Sequence, residues 1–324
     1  MVDSQKLIDS SQHLDDSSHL ASVLEENGYL FFRGLLNLEL LDQVKTDILS
    51  ILREHHIIEN VDSSEPLWSG GPHPNEEEYL AFYDRIVRLD SFIQLAESPE
   101  ITGTLASILG NPVDSWTQKL IRIIYPTPET PDVPGTGAHQ DGAVKLGYDA
   151  DVFYTGWLPL MEITHEVGGL ALVPGSHRKG LRELAGLAAS SLKETNKQGA
   201  GALHLDVAES DWATTEYLPG DIVLFSNLMV HRGTTNRSNR IRLSCDFRYQ
   251  PSGNRVSWLA SALGPEVRRF AQKLDRLMAS RALFVTTRAT PDLLEEVRTQ
   301  MLIEKNATLE RAQEIIAELQ NRET

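Results

Sequence analysis

One segment constrains this chain more than any other. From Arg240 to Tyr249 the residues alternate without a break. Ile241, Leu243, Cys245, Phe247 and Tyr249 hold the odd positions, and Arg240, Arg242, Ser244, Asp246 and Arg248 the even ones. Period two marks an extended strand, whose successive side chains point to opposite faces. One face of this strand is apolar and the other strongly polar. In an open sheet the polar face simply meets water. In a closed barrel it lines a polar cavity, and a guanidinium there offers a planar two-pronged grip on a carboxylate.

The surrounding texture favours the barrel. Trp116 to Tyr125, Val152 to Leu158, Gly169 to Val173 and Ile222 to Phe225 are short, β-rich and bounded by turn residues such as Pro174-Gly175-Ser176 and Pro219-Gly220-Asp221. Many short strands without helices between them predict a sandwich or barrel rather than a parallel sheet, and a jelly roll fits the count. The expected class is mostly β with flanking helices (α+β), on a double-stranded β-helix core. Ahead of it, His19 to Glu26 has helical spacing, Tyr29 to Gly34 suits a buried strand, and Leu35 to Leu52 recovers the helical period. Residues 57–78 are broken by Ser, Gly and Pro, and read either as a lid or binding loop or as a surface excursion. After Pro251 the chain turns helical, with amphipathic stretches at Pro291 to Ile303 and Ala307 to Leu319. The expected division is residues 1–255 as the jelly-roll domain with N-terminal helices and 256–324 as a helical extension, packed on the core or making a homodimer contact.

Composition excludes several functions. A formal charge of −16 over 324 residues, with one short basic run at His177-Arg178-Lys179, argues against nucleic acid and anionic membranes as partners. A single cysteine, Cys245, rules out an intrachain disulfide and a cysteine zinc site. The first twenty residues lack the pattern of a signal peptide, and no long apolar run exists. A cytoplasmic protein acting on a small molecule is expected.

His-x-Asp occurs three times, at His13, His139 and His204. Alone it is a common polar tripeptide. His13 precedes the first credible core element, and His204 lies close to His231, leaving little chain for strands between two ligands. His139-Gln140-Asp141 follows a Gly/Pro loop and leaves room for most of a jelly roll before His231. Two imidazoles and one carboxylate on one face of an ion leave positions open, which is the facial triad of non-haem Fe(II) oxygenases. On an extended strand, residues i and i+2 point the same way, so His139 and Asp141 can aim at one ion. Among ten histidines a lone one is usually structural. His231 gains weight because the alternating strand follows it, with Arg242 eleven residues on.

Together these residues resemble the phytanoyl-CoA dioxygenase family of Fe(II)/2-oxoglutarate oxygenases, from about Gly28 to Tyr249. Glu26 to Gly34 is similar to the family's opening strand, His139-Gln140-Asp141 to its metal motif, Gly168 to His177 to its glycine-rich strand and turn, and Pro219 to Phe225 to the approach to its distal histidine. The resemblance implies iron on His139, Asp141 and His231. It implies 2-oxoglutarate and O2 as co-substrates, with Arg242 on the distal carboxylate and Trp157 beside it. Members often carry Ser two residues after the distal His. Here that position is Gly233, so Thr234 or Ser244 is expected to take over the contact. Related halogenases lack the carboxylate; Asp141 therefore points to hydroxylation of an unactivated C–H bond of a small molecule, a secondary metabolite being expected. Desaturation, cyclisation, epimerisation and endoperoxide formation begin alike and stay open. A non-enzymatic cupin-like binding protein is the other alternative. For substrate, Trp68, His73, Tyr79 and Arg248 are the candidates. The aromatics read equally as helix packing. Arg248 and Asp246 reach the pocket, or pair with each other or with Arg240.

Overall fold

The structure, a computed structural model, describes residues 5–59, 65–116, 119–127, 136–143, 152–181 and 207–252. The helical extension expected at 256–324, its dimer contact and His204 lie outside them.

The described chain opens with β1 (Gln5–Lys6), α1 (Ser17–Asn27), β2 (Tyr29–Phe32) and α2 (Leu38–Glu54). Asp16 caps α1, and Gly28 ends it in the left-handed conformation. Gly28 is also packed tightly: a Cβ there would meet the His177 ring and Met229 at under 3 Å. Asn37 caps α2 by accepting from the Glu39 and Leu40 amides, and Leu41, Val44, Ile48 and Leu52 form its buried stripe. Three further helices follow: α3 (Glu76–Ile86), α4 (Asp90–Ala96) and α5 (Pro99–Leu109). Asn75 and Glu78 close a reciprocal capping box on α3.

The remaining strands are β3 (Val113–Ser115), β4 (Leu120–Ile124), β5 (Thr136–His139), β6 (Tyr154–Pro159), β7 (Leu170–Leu172), β8 (Ala213–Thr214), β9 (Ile222–Ser226), β10 (His231–Gly233) and β11 (Arg242–Pro251). They form two sheets. One runs β1-β8-β7-β10-β5; the other runs β2-β9-β6-β11-β3, with β4 also paired to β11. This is the jelly-roll sandwich expected from the strand count. The described part of the segment 57–78 carries regular pairing. Ile58 bridges Trp68, Leu67 bridges Arg240, and α3 begins at Glu76.

β11 is central to the second sheet and buried along almost its whole length. Its odd residues face the helices. Phe247 packs edge-on against Phe92 of α4 at 5.3 Å, and the Tyr249 hydroxyl donates to the Ala96 carbonyl at 2.8 Å. Tyr83 of α3 accepts from the Ile121 amide of β4 on the same side. The helices thus cover the apolar side of this sheet, and the polar side turns inward to the other sheet.

Candidate active site

β5 ends at His139, and Asp141 opens a short 3-10 turn. The sequence reading placed both on one extended strand; the structure brings them together through the turn instead. That turn is held from below. The Gln140 side-chain amide donates to the Leu228 and Gly180 carbonyls, and the Gly142 amide donates to Asn227. His231 opens β10 and pairs with His139 on one side and Leu172 on the other. Register therefore sets the two imidazoles side by side, with ring centroids 4.1 Å apart.

Both imidazole Nε2 atoms lie 3.8 Å from Asp141 Oδ1. One ligand atom from each of the three residues falls within 4.8 Å of the others, so they can share one ion. His231 Nδ1 is 3.0 Å from the Met229 carbonyl. That contact puts the ring proton on Nδ1 and leaves the Nε2 lone pair for a metal. The donor set is the two-imidazole, one-carboxylate set suited to Fe(II).

Asp141 is buried and doubly held. Thr155 donates to Oδ2 at 2.6 Å, and Arg248 Nη2 lies 3.2 Å from Oδ1. Burial alone would raise its pKa. Arg248, His231, His139 and the Thr155 hydroxyl outweigh that and hold the carboxyl well below the usual carboxylate range. Arg248 thus reaches the site, as one reading of the sequence had it. Asp246 pairs with neither Arg248 nor Arg240: it binds Arg122 of β4 at 2.5 Å, and Arg240 binds Glu65.

From Arg248 the inner face of β11 continues through Asp246 and Ser244 to Arg242. Trp157 stands opposite Asp246 in register, its ring 4.6 Å from that of Tyr217, so it lines the interior. Arg242 Nη1 donates to the Gly168 carbonyl at 2.7 Å. Gly168 has φ +77° and lies so close to residues 234 and 235 that a Cβ would sit 2.4 Å from the Thr235 carbonyl. Arg242 Nε and Ser244 Oγ are buried without a hydrogen-bond partner among the described residues. Burial pushes the Arg242 guanidinium down to about 10, against the pull of Asp246. A desolvated guanidinium beside an unsatisfied hydroxyl has the chemistry to receive a carboxylate. Thr234 lies at the same corner, but its hydroxyl contacts the Gly169 carbonyl.

Among the described residues, the aromatic substrate candidates Trp68, His73 and Tyr79 pack away from the triad. Tyr79 is buried in the core, stacked on Tyr83 at 5.2 Å, because the apolar face of α3 packs on the outer side of the sheet. Trp68 and His73 cluster with Tyr125, beside the chain that enters β11 at Arg240 and Arg242. That is the far end of the strand from Arg248 and Asp141. His13 sits in an N-terminal turn against His19.

Sequence reasoning missed Thr155 and Arg122. Both had a signal. Thr155 stands two residues before Trp157 on one strand and so shares its face. Arg122 is a lone charge inside the apolar run Leu120-Ile121-Arg122-Ile123-Ile124, which is tolerable only with a buried partner.

Fold and donor set together define a mononuclear non-haem iron oxygenase. The profile of the phytanoyl-CoA dioxygenase (PhyH) family matches residues 24–244, and the chain belongs to that family. A 1-deoxypentalenic acid 11-beta-hydroxylase of Streptomyces exfoliatus is 28% identical over 277 residues, which cover 82% of this chain and 92% of the relative. The hydroxylase of the same description from Streptomyces arenae is 29% identical over the same coverage. Two solved structures share the fold. The non-heme monooxygenase ThoJ, in its apo form, matches with TM-score 0.52 at 16% identity, over 81% of this chain and 98% of its own. The epimerase SnoN, in complex with Fe3+, alpha ketoglutarate and nogalamycin RO, matches with TM-score 0.51 at 18% identity, over 74% of this chain and 84% of its own. The chain is a 2-oxoglutarate-dependent oxygenase with iron as its metal, and the non-enzymatic alternative is set aside.

Proposed function

We propose that His139, Asp141 and His231 hold Fe(II), that Arg242 with Ser244 holds the distal carboxylate of 2-oxoglutarate, and that the enzyme hydroxylates an unactivated C–H bond of a small natural product. One observation carries the site: three ligand atoms of the right kinds converge within 4.8 Å at one end of a polar inner strand face. At the other end lies a buried guanidinium with an N–H that has no partner among the described residues. When bound there, iron and 2-oxoglutarate supply O2-dependent C–H oxidation coupled to conversion of the oxoacid to succinate and CO2.

The chain's own residues do the rest. Arg248 and Thr155 keep Asp141 ionised and oriented. The Met229 carbonyl fixes the His231 tautomer. Ser244 has an open hydroxyl where Thr234 does not, so it replaces the serine missing at Gly233. Trp157 and Tyr217 wall the interior. For substrate, the relatives named for hydroxylation of 1-deoxypentalenic acid support a secondary metabolite. The charge of −16 supports neither nucleic acid nor an anionic membrane as partner. No helix among the described residues is long and apolar enough to cross a membrane, and the free Cys245 fits a reduced, cytoplasmic setting.

The test is a screen of candidate metabolites with Fe(II), O2 and 2-oxoglutarate, read by mass spectrometry. A product carrying one added oxygen, with equimolar succinate, is expected. Loss of two hydrogens, or unchanged mass with inverted configuration, would replace hydroxylation by desaturation or epimerisation.

A further inference from the structure

Among the described residues, three guanidinium groups face the interior, those of Arg122, Arg242 and Arg248, against two carboxylates, Asp141 and Asp246. Arg122 is matched by Asp246. Arg248 is matched only in part. Its Nη2 is on Asp141 Oδ1 at 3.2 Å, while its Nη1 is buried with no partner among the described residues. The side chain is 5% exposed, and that N–H is itself buried. A buried donor left unmade costs roughly 1–3 kcal/mol, and the cost is recovered when an acceptor arrives. A divalent ion at the triad would make the interior more cationic still. An anion beside the metal would offset that charge.

We propose that Arg248 is a second carboxylate-binding residue. One amino group stays on the ligating carboxylate of Asp141, and Nη1 takes the keto-acid carboxylate of 2-oxoglutarate beside the metal. The co-substrate is then gripped at both ends, by Arg248 near the triad and by Arg242 at the distal carboxylate. This rests on the metal and co-substrate reading above. It commits to the keto-acid end because the guanidinium touches a triad oxygen, so any acceptor of Nη1 lies in the metal's immediate surroundings. A carboxylate of the substrate would offer the same chemistry, and the experiment separates the two.

The full chain is loaded with Mn(II) without O2 and titrated calorimetrically with 2-oxoglutarate and with oxalate, which mimics only the keto-acid end. Arg242→Met should weaken 2-oxoglutarate strongly and leave oxalate unchanged. Arg248→Met, at saturating Mn(II), should weaken both by about ten- to a hundredfold, the range of one charge-assisted hydrogen bond. Arg248→Lys should recover part of the oxalate affinity; it also guards against a Met variant that fails to fold. If both ligands bind metal-saturated Arg248→Met as they bind wild type, the guanidinium serves only Asp141 or the substrate, and the proposal falls. A wild-type chain that takes up no Mn(II) would overturn the triad itself, a different failure.

Discussion

The two faces of β11 are equally buried and held in opposite ways. Outward, Leu243, Cys245, Phe247 and Tyr249 are each 0% exposed against the helices, in a large apolar cluster. Inward, Arg242, Ser244, Asp246 and Arg248 are almost as buried, yet three of the four carry an atom without a partner among the described residues. Apolar packing stabilises in proportion to the area removed from water. Buried charge stabilises only when its pairing is complete. One strand thus anchors the fold with alternate residues, while the residues between them remain incompletely paired, as a binding site requires.

That contrast can be broken or sharpened. The largest effect is expected from Asp141→Ala. Succinate production should vanish, and Fe(II) affinity should fall by more than about a hundredfold, the upper range for disturbing a mere supporting residue. Wild-type turnover in this variant would mean the triad is misassigned.

Next comes the outer face. Phe247→Ala should destabilise by about 3–5 kcal/mol, as large-to-small core changes do. Chemical denaturation reads that loss. Mn(II) affinity measured where the variant is still folded should stay within about twofold of wild type, a shift below roughly 0.5 kcal/mol. A collapse of affinity there would show that the two faces are not separable.

Arg242→Met should weaken 2-oxoglutarate about a hundredfold, the scale of a charged hydrogen bond. It should not lower the melting temperature of the unliganded protein. The sign follows from the buried guanidinium. Its pKa is pushed down to about 10 when folded, below its ordinary unfolded value. The unfolded chain then binds more protons between those values, so this group opposes folding fully below about pH 10, and the penalty is relieved as pH rises through that window. Any stability advantage of the Met variant over wild type should therefore shrink above about pH 10. A Met variant markedly less stable than wild type at neutral pH would show that Arg242 is a structural tie to Gly168.

The smallest effect is expected from Thr155→Val, which removes one hydrogen bond to Asp141. Metal affinity should fall by about tenfold, the lower range for a supporting residue, with little change in stability. No change in metal titration would demote Thr155 to packing.

Much of this was legible in the chain. Strict alternation from Ile241 to Tyr249 announced a two-faced strand, and the strand count announced a jelly roll. His139 stood apart from His13 and His204 by its place in the chain and the room it leaves before His231, and His231 gained weight from the alternating strand that follows it. The aromatic candidates were not separable in that way. Tyr79 and Trp68 have the same composition signal whether they cover a pocket or fill a core, and only packing sends one into the core from the buried face of α3 and the other toward the Arg242 end of β11. Thr155 and Arg122 were overlooked because their value comes from partners more than ten residues away.

What the sequence by itself determined is periodicity and chemical kind: which residues share a face, and which of them can ligate iron or grip a carboxylate. Side-chain alternation is local, so it survives without any knowledge of neighbours. Only the tertiary structure decided the pairings. Asp141 took Arg248 and Thr155, Asp246 took Arg122, and Arg242 and Ser244 were left with atoms unsatisfied among the described residues. Those outcomes depend on which strand lies across the barrel and at what register, and burial strengthens electrostatic contacts that would be weak in water.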